Sequence, residues 1–411
     1  MSKQSNKGCG CANVPISVIL LFLGGGFWWF KKNGLPDINV DLINNLLAKV
    51  PGVEIQIPVE EPALPPAPPT PTPTLPAVSI VSSPLPPTSE TQLDKIPQSE
   101  IQPLPKTDWE KKKIRGIYLS RYQITNNASE QMIRDRVRYY KAQGFNTIIH
   151  GVWGNACTMY NSEVMQQTLG YKSCPNLFRD RWLEWLIDEA HQQDMEVHAY
   201  FEKGIKIDKN SPVFDYAIAN KWIIPGVDRT YTGVDHYLLD VENPEVAKFF
   251  RNILTEFVQK YPKIDAVQWD DYLGYHAELP GKVDRTESLT KFVRKMITSM
   301  KQANPDVSFD LCHHNPYWAK RYFAADWKNW GVDRVFIQNY NENNFNAELN
   351  YIKKYDGIAI TDKQFHRLPE IIDNKKIDSV LIFALSGKPE QTAAEVKSLT
   401  EKSDNNYNVI D

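Results

Sequence analysis

A chain of 411 residues with net charge −3 and a pI near 6.3 carries no large basic block, which excludes an electrostatic case for binding nucleic acid. The length allows two or three domains, yet sixteen of the 28 prolines fall in residues 51–107, so only the part after about residue 108 is able to build a core. The 11 Trp and 19 Tyr, many near predicted strand ends or in loops, suit a neutral or weakly charged substrate, and aromatic platforms of this kind fit sugar rings.

The first predicted element is the uncharged apolar run VPISVILLFLGGGFWWF at residues 14–30, flanked by Lys3 and Lys7 before it and Lys31 and Lys32 after it. Its length is at the short end, about 17 residues, of what spans a bilayer. Bulky FWWF leads directly into KK, with no small-residue cleavage site, so the run reads as an uncleaved transmembrane signal anchor. The lysines balance across it. The terminal amine tips the orientation towards residues 1–13 as a cytoplasmic segment and the rest outside. Cys9 and Cys11 are too sparse for a metal site.

Residues 31–107 form a juxtamembrane and Pro-rich linker, including ALPPAPPTPTPTLP, which cannot pack as helix or central sheet. As a polyproline II spacer at roughly 3.1 Å per residue, the stretch from 51 would reach about 180 Å when fully extended.

From Lys113 the pattern alternates regularly. Strand-like IRGIYLS, NTIIHGVW, EVHAYFE, AVQWDDY, SFDLCHH, RVFIQNY, GIAITD and SVLIFALS are each followed by a helix-like stretch, from SEQMIRDRVRYYKAQ to PEQTAAEVKSL. YWAKRYFAADWKNW is the helix expected after the fifth strand. Eight such pairs in the span 108–400 predict an α/β fold of the (β/α)8 TIM-barrel type, with 401–411 as a tail. A doubly wound sheet fits less well, because no Gly-rich phosphate turn follows the first strand. Function then belongs on the loops after the strands.

Strand side chains alternate faces, so the apolar residues that must meet the helices reveal the inward set. In EVHAYFE, Val197, Ala199 and Phe201 point out while His198, Tyr200 and Glu202 point in. In AVQWDDY, Val267 and Trp269 point out and Gln268, Asp270 and Tyr272 point in. Asp270 is therefore the central carboxylate and Asp271 its neighbour at the start of the loop. In SFDLCHH the inward set is Asp310, Cys312 and His314, and Asn315 follows; in RVFIQNY it is Phe336, Gln338 and Tyr340. TIIHGVW has no clear alternation, and His150 and Trp153 are assigned to its rim.

The rim thus gathers carboxyls from neighbouring strands among amides, histidines and aromatics. Glycosidic bond hydrolysis requires two carboxyls across the scissile bond, one to protonate the leaving oxygen and one to attack or activate water. Asp270, Glu202 and Asp271 are the catalytic candidates, with Glu202 expected to carry the proton and Asp270 to be ionised. Tyr272, Tyr200, His198, His150, Trp153, His314, Asn315, Gln338 and Tyr340 are candidates for holding the sugar. No metal and no cofactor are expected: the first strand has no HxH pair, adjacent His313 and His314 face opposite ways, and no GxSxG elbow is present. Cys157 and Cys174 bracket one loop, and a disulfide or two free thiols fit equally.

Several stretches in order, RGIYLS, TMYNSEV, WLIDEAHQQDMEVHAYFEKG, NPEV, IDAVQWDDYLGYH, WAKRYFAADWKNWGVDRVFIQNY and SVLIFALSG, resemble the glycosyl-hydrolase-like family 10, a barrel family of bacterial envelope proteins. The resemblance covers residues 113 to 390. It implies a membrane-anchored glycosidase acting on cell-wall polysaccharide, peptidoglycan glycan strands above all, with the barrel on the periplasmic or extracytoplasmic side of the inner membrane. By motif position it carries a functional role to Glu202, Asp270, Asp271, Gln338 and Tyr340. A non-catalytic, membrane-tethered glycan-binding barrel is the alternative from another class.

Overall fold

A computed structural model describes residues 106–120, 126–229, 233, 235–276, 279 and 284–407, with side chains as far as 401. The predicted cytoplasmic segment, the signal anchor at 14–30 and all but the end of the linker lie outside these residues. Among the described residues, no helix is long and apolar enough to cross a membrane.

Eight parallel strands close into a barrel: β1 (Arg115–Leu119), β2 (Thr147–Gly154), β3 (Glu196–Phe201), β4 (Ala266–Trp269), β5 (Ser308–His313), β6 (Arg334–Gln338), β7 (Gly357–Thr361) and β8 (Val380–Phe383). Closure is visible at β1, where Tyr118 is in register with Ile149 of β2 on one side and Phe383 of β8 on the other. Each strand is short and nearly all buried, as a sheet covered on both faces requires.

Alternation sorts the side chains into two layers. Val197, Ala199, Phe201, Val267, Trp269, Phe309, Leu311, Val335 and Ile337 join the large core between strands and helices. Tyr118, Ile149, Tyr200, Cys312, Phe336, Ala359 and Leu381 form a smaller cluster inside the barrel. The parity read from β3 to β6 is the parity observed.

The helices begin where chemistry favours them. Ser129 accepts from the Met132 amide at the start of Glu130–Ala142. Asn243 accepts from the Glu245 amide, with Pro244 in the first turn of Pro244–Lys260, where its missing N–H is no loss. One expected helix is broken: the chain after β5 is helical only over Pro316–Phe323, because Ala324 takes a left-handed conformation at φ 53°. The turn that follows, Trp327–Asn329, buries Trp327 and Trp330. Burying two indoles outweighs continuing a helix whose next residues are Ala-Ala-Asp.

Two loops at the carboxyl ends of the strands are large. The one after β2 holds the short strand Cys157–Thr158 and the helix Glu163–Leu169. The one after β3 holds the helix Phe214–Ala219 and an antiparallel pair, Lys206–Ile207 with Tyr237–Leu238. None of these short strands was legible in the sequence, since two-residue strands leave no periodicity.

Candidate active site

β4 ends at Trp269 and the chain turns at once, so Asp270 and Asp271 stand at the mouth of the barrel. Asp270 points inward and is 8% exposed; Asp271 is 3% exposed. Two donors hold Asp270. The Tyr200 hydroxyl, from neighbouring β3, donates to Oδ2, and the Tyr272 amide donates to Oδ1 at 3.0 Å. Both bonds favour the carboxylate. Burial, followed by the charge of Asp271, works against it and is stronger, raising the Asp270 pKa to about 8. Burial and the adjoining carboxylate thus push Asp270 towards its protonated form, the opposite direction to the ionised role that the sequence reading gives it.

Tyrosines line the space beneath the mouth. Gln268 donates to the Tyr118 hydroxyl at 3.0 Å, and the Tyr118 and Tyr200 rings meet edge to face at 5.3 Å. The Cys312 thiol lies against the Tyr118 and Tyr340 hydroxyls and is pushed up to about 12 by burial. Tyr340, half-buried, stacks on Phe383 with ring centroids 6.0 Å apart. Gln338 is buried at the same level. Sequence reasoning did not select Tyr118, although Ile117 and Leu119 pointing outward would have placed it inside.

Glu202 stands one residue past β3, half-buried. Its charge acts on both Tyr200 and Tyr272, as do the charges of the Asp pair on Tyr272. Asp270 and Glu202 thus act on both tyrosines, and Asp271 on Tyr272. Tyr272 is fixed from behind: the Ile205 amide donates to its carbonyl at 3.1 Å. Gly204, at φ 44°, passes so close that a Cβ there would meet the same oxygen at 2.5 Å. The turn carrying Glu202 is thus joined to the turn carrying Asp270. His314, on the opposite flank, places Nε2 4.0 Å from Asp271 Oδ2 and Nδ1 3.7 Å from Glu348, with its ring stacked on Phe323.

Three of the sugar-binding candidates lie away from the mouth, and a fourth is committed to a helix cap. His150 is buried with its ring 4.9 Å from Trp182 on the helix side, Nδ1 bonded to the Gly151 carbonyl, and burial lowers its pKa to about 4. Trp153 also faces out, stacked on Phe201, with Nε1 donating to the Gly204 carbonyl. It is Ile149 that points inward on β2, so a continuous apolar run concealed the parity. His198 does face in, but at the opposite end of the barrel, where it shares a hydrogen bond with Glu196 and sits 3.6 Å from Asp310. Arg334 joins that layer through both carboxylates. Asn315 is spent on structure: it caps Pro316–Phe323 by accepting from Tyr317 and Trp318 amides and donates to Glu348.

Cys157 and Cys174 are joined by a disulfide that ties the loop after β2, and Cys312 is a buried free thiol. Among the described residues no group of three or more His, Cys, Asp or Glu side chains is arranged to hold a metal ion.

Residues 113–284, which contain β1 to β4 and all three carboxyls, match the family described as glycosyl hydrolase-like 10. The glycosyl hydrolase DigH of Escherichia coli K12 is 27% identical over 229 residues, 48% of this chain and 50% of that protein. Its counterpart in Escherichia coli O6:H1 is 25% identical over 266 residues, 52% of this chain and 58% of the other. The chain thus spans about half the length of the curated relatives it matches. Among solved structures, an endo-1,4-beta-mannanase from Rhizomucor miehei aligns with a TM-score of 0.47 at 10% identity, over 72% of this chain and 95% of that one. The GH36 alpha-galactosidase AgaA of Geobacillus stearothermophilus aligns with a TM-score of 0.45 at 12% identity, over 72% and 42%. The half of the barrel that holds the carboxyls therefore matches glycosyl hydrolase-like 10, the family its motifs resemble.

Proposed function

We propose that this protein is a glycoside hydrolase of the cell envelope, anchored in the membrane through residues 14–30 and acting on peptidoglycan glycan strands. The observation that carries the reading is that Asp270 and Glu202 share Tyr200 and Tyr272 with Asp271 adjoining, where burial and the charge of Asp271 push the Asp270 carboxyl towards its protonated form. A protonated carboxyl supplies the general acid. It lies at the mouth of a barrel, the end where this fold assembles its active sites.

In this reading Asp270 donates its proton to the leaving glycosidic oxygen, and Glu202, on the adjoining strand's turn, is the nucleophile or base. Asp271 raises the affinity of Asp270 for that proton by its charge. Tyr340 and Tyr272 offer aromatic surface beside the carboxyls, and Gln338 an amide.

The test is to incubate the full-length protein with purified peptidoglycan and with peptide-stripped glycan strands and to measure new reducing ends. Release from the wild type and none from Asp270→Asn supports the reading. Glycan binding with no new reducing ends overturns it in favour of a tethered glycan-binding barrel. External protease that leaves the barrel intact in spheroplasts would overturn the topology.

A further inference from the structure

Behind the rim, outside the carboxyl group itself, lies a buried ion pair that the proposed reaction does not use. Lys206 Nζ is 3.1 Å from Asp228 Oδ2, and both side chains are 0% exposed. Burying two charges is unfavourable unless the geometry repays it, and a packing role alone would be served by apolar residues of the same size. The pair sits in the lobe made by the loop after β3. Lys206 belongs to the short strand paired with Tyr237–Leu238, and Asp228 exchanges backbone hydrogen bonds with His236.

What the pair touches is Tyr272. Lys206 Nζ lies 4.6 Å from the centroid of the Tyr272 ring, and His236 meets the same ring edge-on at 5.5 Å. A cation over an aromatic face attracts the ring more strongly when both are desolvated. The backbone of Tyr272 is held by the Ile205 amide on one side and gives its own N–H to Asp270 on the other. We infer that Lys206 is a positioning residue for Asp270: countered by Asp228, it clamps the Tyr272 ring from outside the site and so fixes the amide that holds the proton-donating carboxyl.

The charge of Lys206 also reaches Asp270 and favours its ionised form. The other groups facing Asp270 are Tyr118 from β1, Tyr200 from β3 and Glu202 just beyond it. Asp271 and Tyr272 adjoin it on its own turn, with Cys312 from β5 and Tyr340 after β6. None of these is a cation; Lys206 acts on Asp270 as a positive charge, while the His314 ring, after β5, lies 4.0 Å from Asp271.

This inference uses the glycosidase reading only in its kinetic arm. In the full-length protein, the titration of Asp270 is followed by the infrared band of its protonated carboxyl, assigned by its loss in Asp270→Asn. The alkaline limb of kcat/KM is measured alongside. Lys206→Met strands Asp228, so the deciding variant is Lys206→Met/Asp228→Asn, which replaces the pair by neutral side chains of similar volume. The inference predicts that the Asp270 titration moves upward by roughly half a pH unit or more, a modest share of one charge's effect in a buried site, with the alkaline limb following and kcat falling. A pair that merely packs would loosen the lobe, admit water and move the titration down. An unmoved or lowered titration, or a double variant that fails to fold, overturns the role of Lys206. A wild type without turnover defeats the glycosidase reading instead, and the infrared titration still decides about Lys206.

Discussion

The Tyr200 hydroxyl donates to Asp270 Oδ2 from the neighbouring strand, and both groups are buried. This bond stabilises the ionised carboxyl, in opposition to burial and to Asp271. Tyr200→Phe removes the donor and nothing else of comparable size. The Asp270 titration, and with it the alkaline limb of the rate, should move above its wild-type position near 8. Loss of the hydrogen bond should lower stability by about 1 kcal/mol in urea melts. A limb that moves down would show that Asp270 is not the group it reports.

Stability should depend on pH through the same carboxyl. An aspartate in an unfolded chain titrates near about 3.9, and in the fold Asp270 is raised to about 8. Between those values the folded protein keeps a proton that the unfolded chain has released, so stability falls as pH rises through the window and is constant on either side of it. Asp270→Asn cancels this slope. Melts of wild type and variant at about pH 5 and about pH 9 should therefore show the wild type losing more on the alkaline side. Equal losses would mean that Asp270 is ionised throughout.

Removing a reacting carboxyl should lower turnover without loss of fold. Asp270→Asn and Glu202→Gln should each reduce the rate by roughly a hundredfold or more, the scale of general acid–base assistance. Asp271→Asn acts differently, because it removes a charge that holds the proton on Asp270. Its alkaline limb should fall to lower pH while the rate below the limb stays closer to wild type. A complete loss of turnover in folded Asp271→Asn, beside near-normal Asp270→Asn, would exchange their roles.

The contact between the two turns can be tested at one glycine. In Gly204→Ala the new Cβ meets the Tyr272 carbonyl at 2.5 Å, at φ 44°, so the backbone must give way. Destabilisation of roughly 1–3 kcal/mol is expected, together with lower turnover as Tyr272 moves. Gly170→Ala is the control. Gly170 has φ 85° with nothing near its would-be Cβ, and it should lose only about 1 kcal/mol, with turnover unchanged.

The barrel was legible because eight strand-and-helix pairs repeat along the chain, and alternation then gave the inward faces of β3 to β6. It failed on β2, where Ile148, Ile149, His150 and Val152 are all buried, the inward residue is the apolar Ile149, and the polar His150 points to the helices. It could not separate the two ends of the barrel either: His198 and Tyr200 share a face, but one lies at the floor and the other under the mouth. Asn315 was misread because a capping amide and a sugar-binding amide look alike in sequence. The protonation of Asp270 depends on burial, a property of the packed barrel, and so does the placement of Lys206 against Tyr272, residues 66 positions apart in a chain with no periodic signal between them.

The layer of Glu196, His198, Asp310 and Arg334 closes the end of the barrel remote from the carboxyls. With Tyr118, Phe336 and Leu381 packed above it, the interior is a cup with a single mouth. A polymer cannot thread through such a cup. If the proposed reaction holds, a glycan strand would have to lie across the lip, both fragments would leave by the side from which it arrived, and the loops after β2 and β3, standing at that lip, would set how many sugars rest there at once.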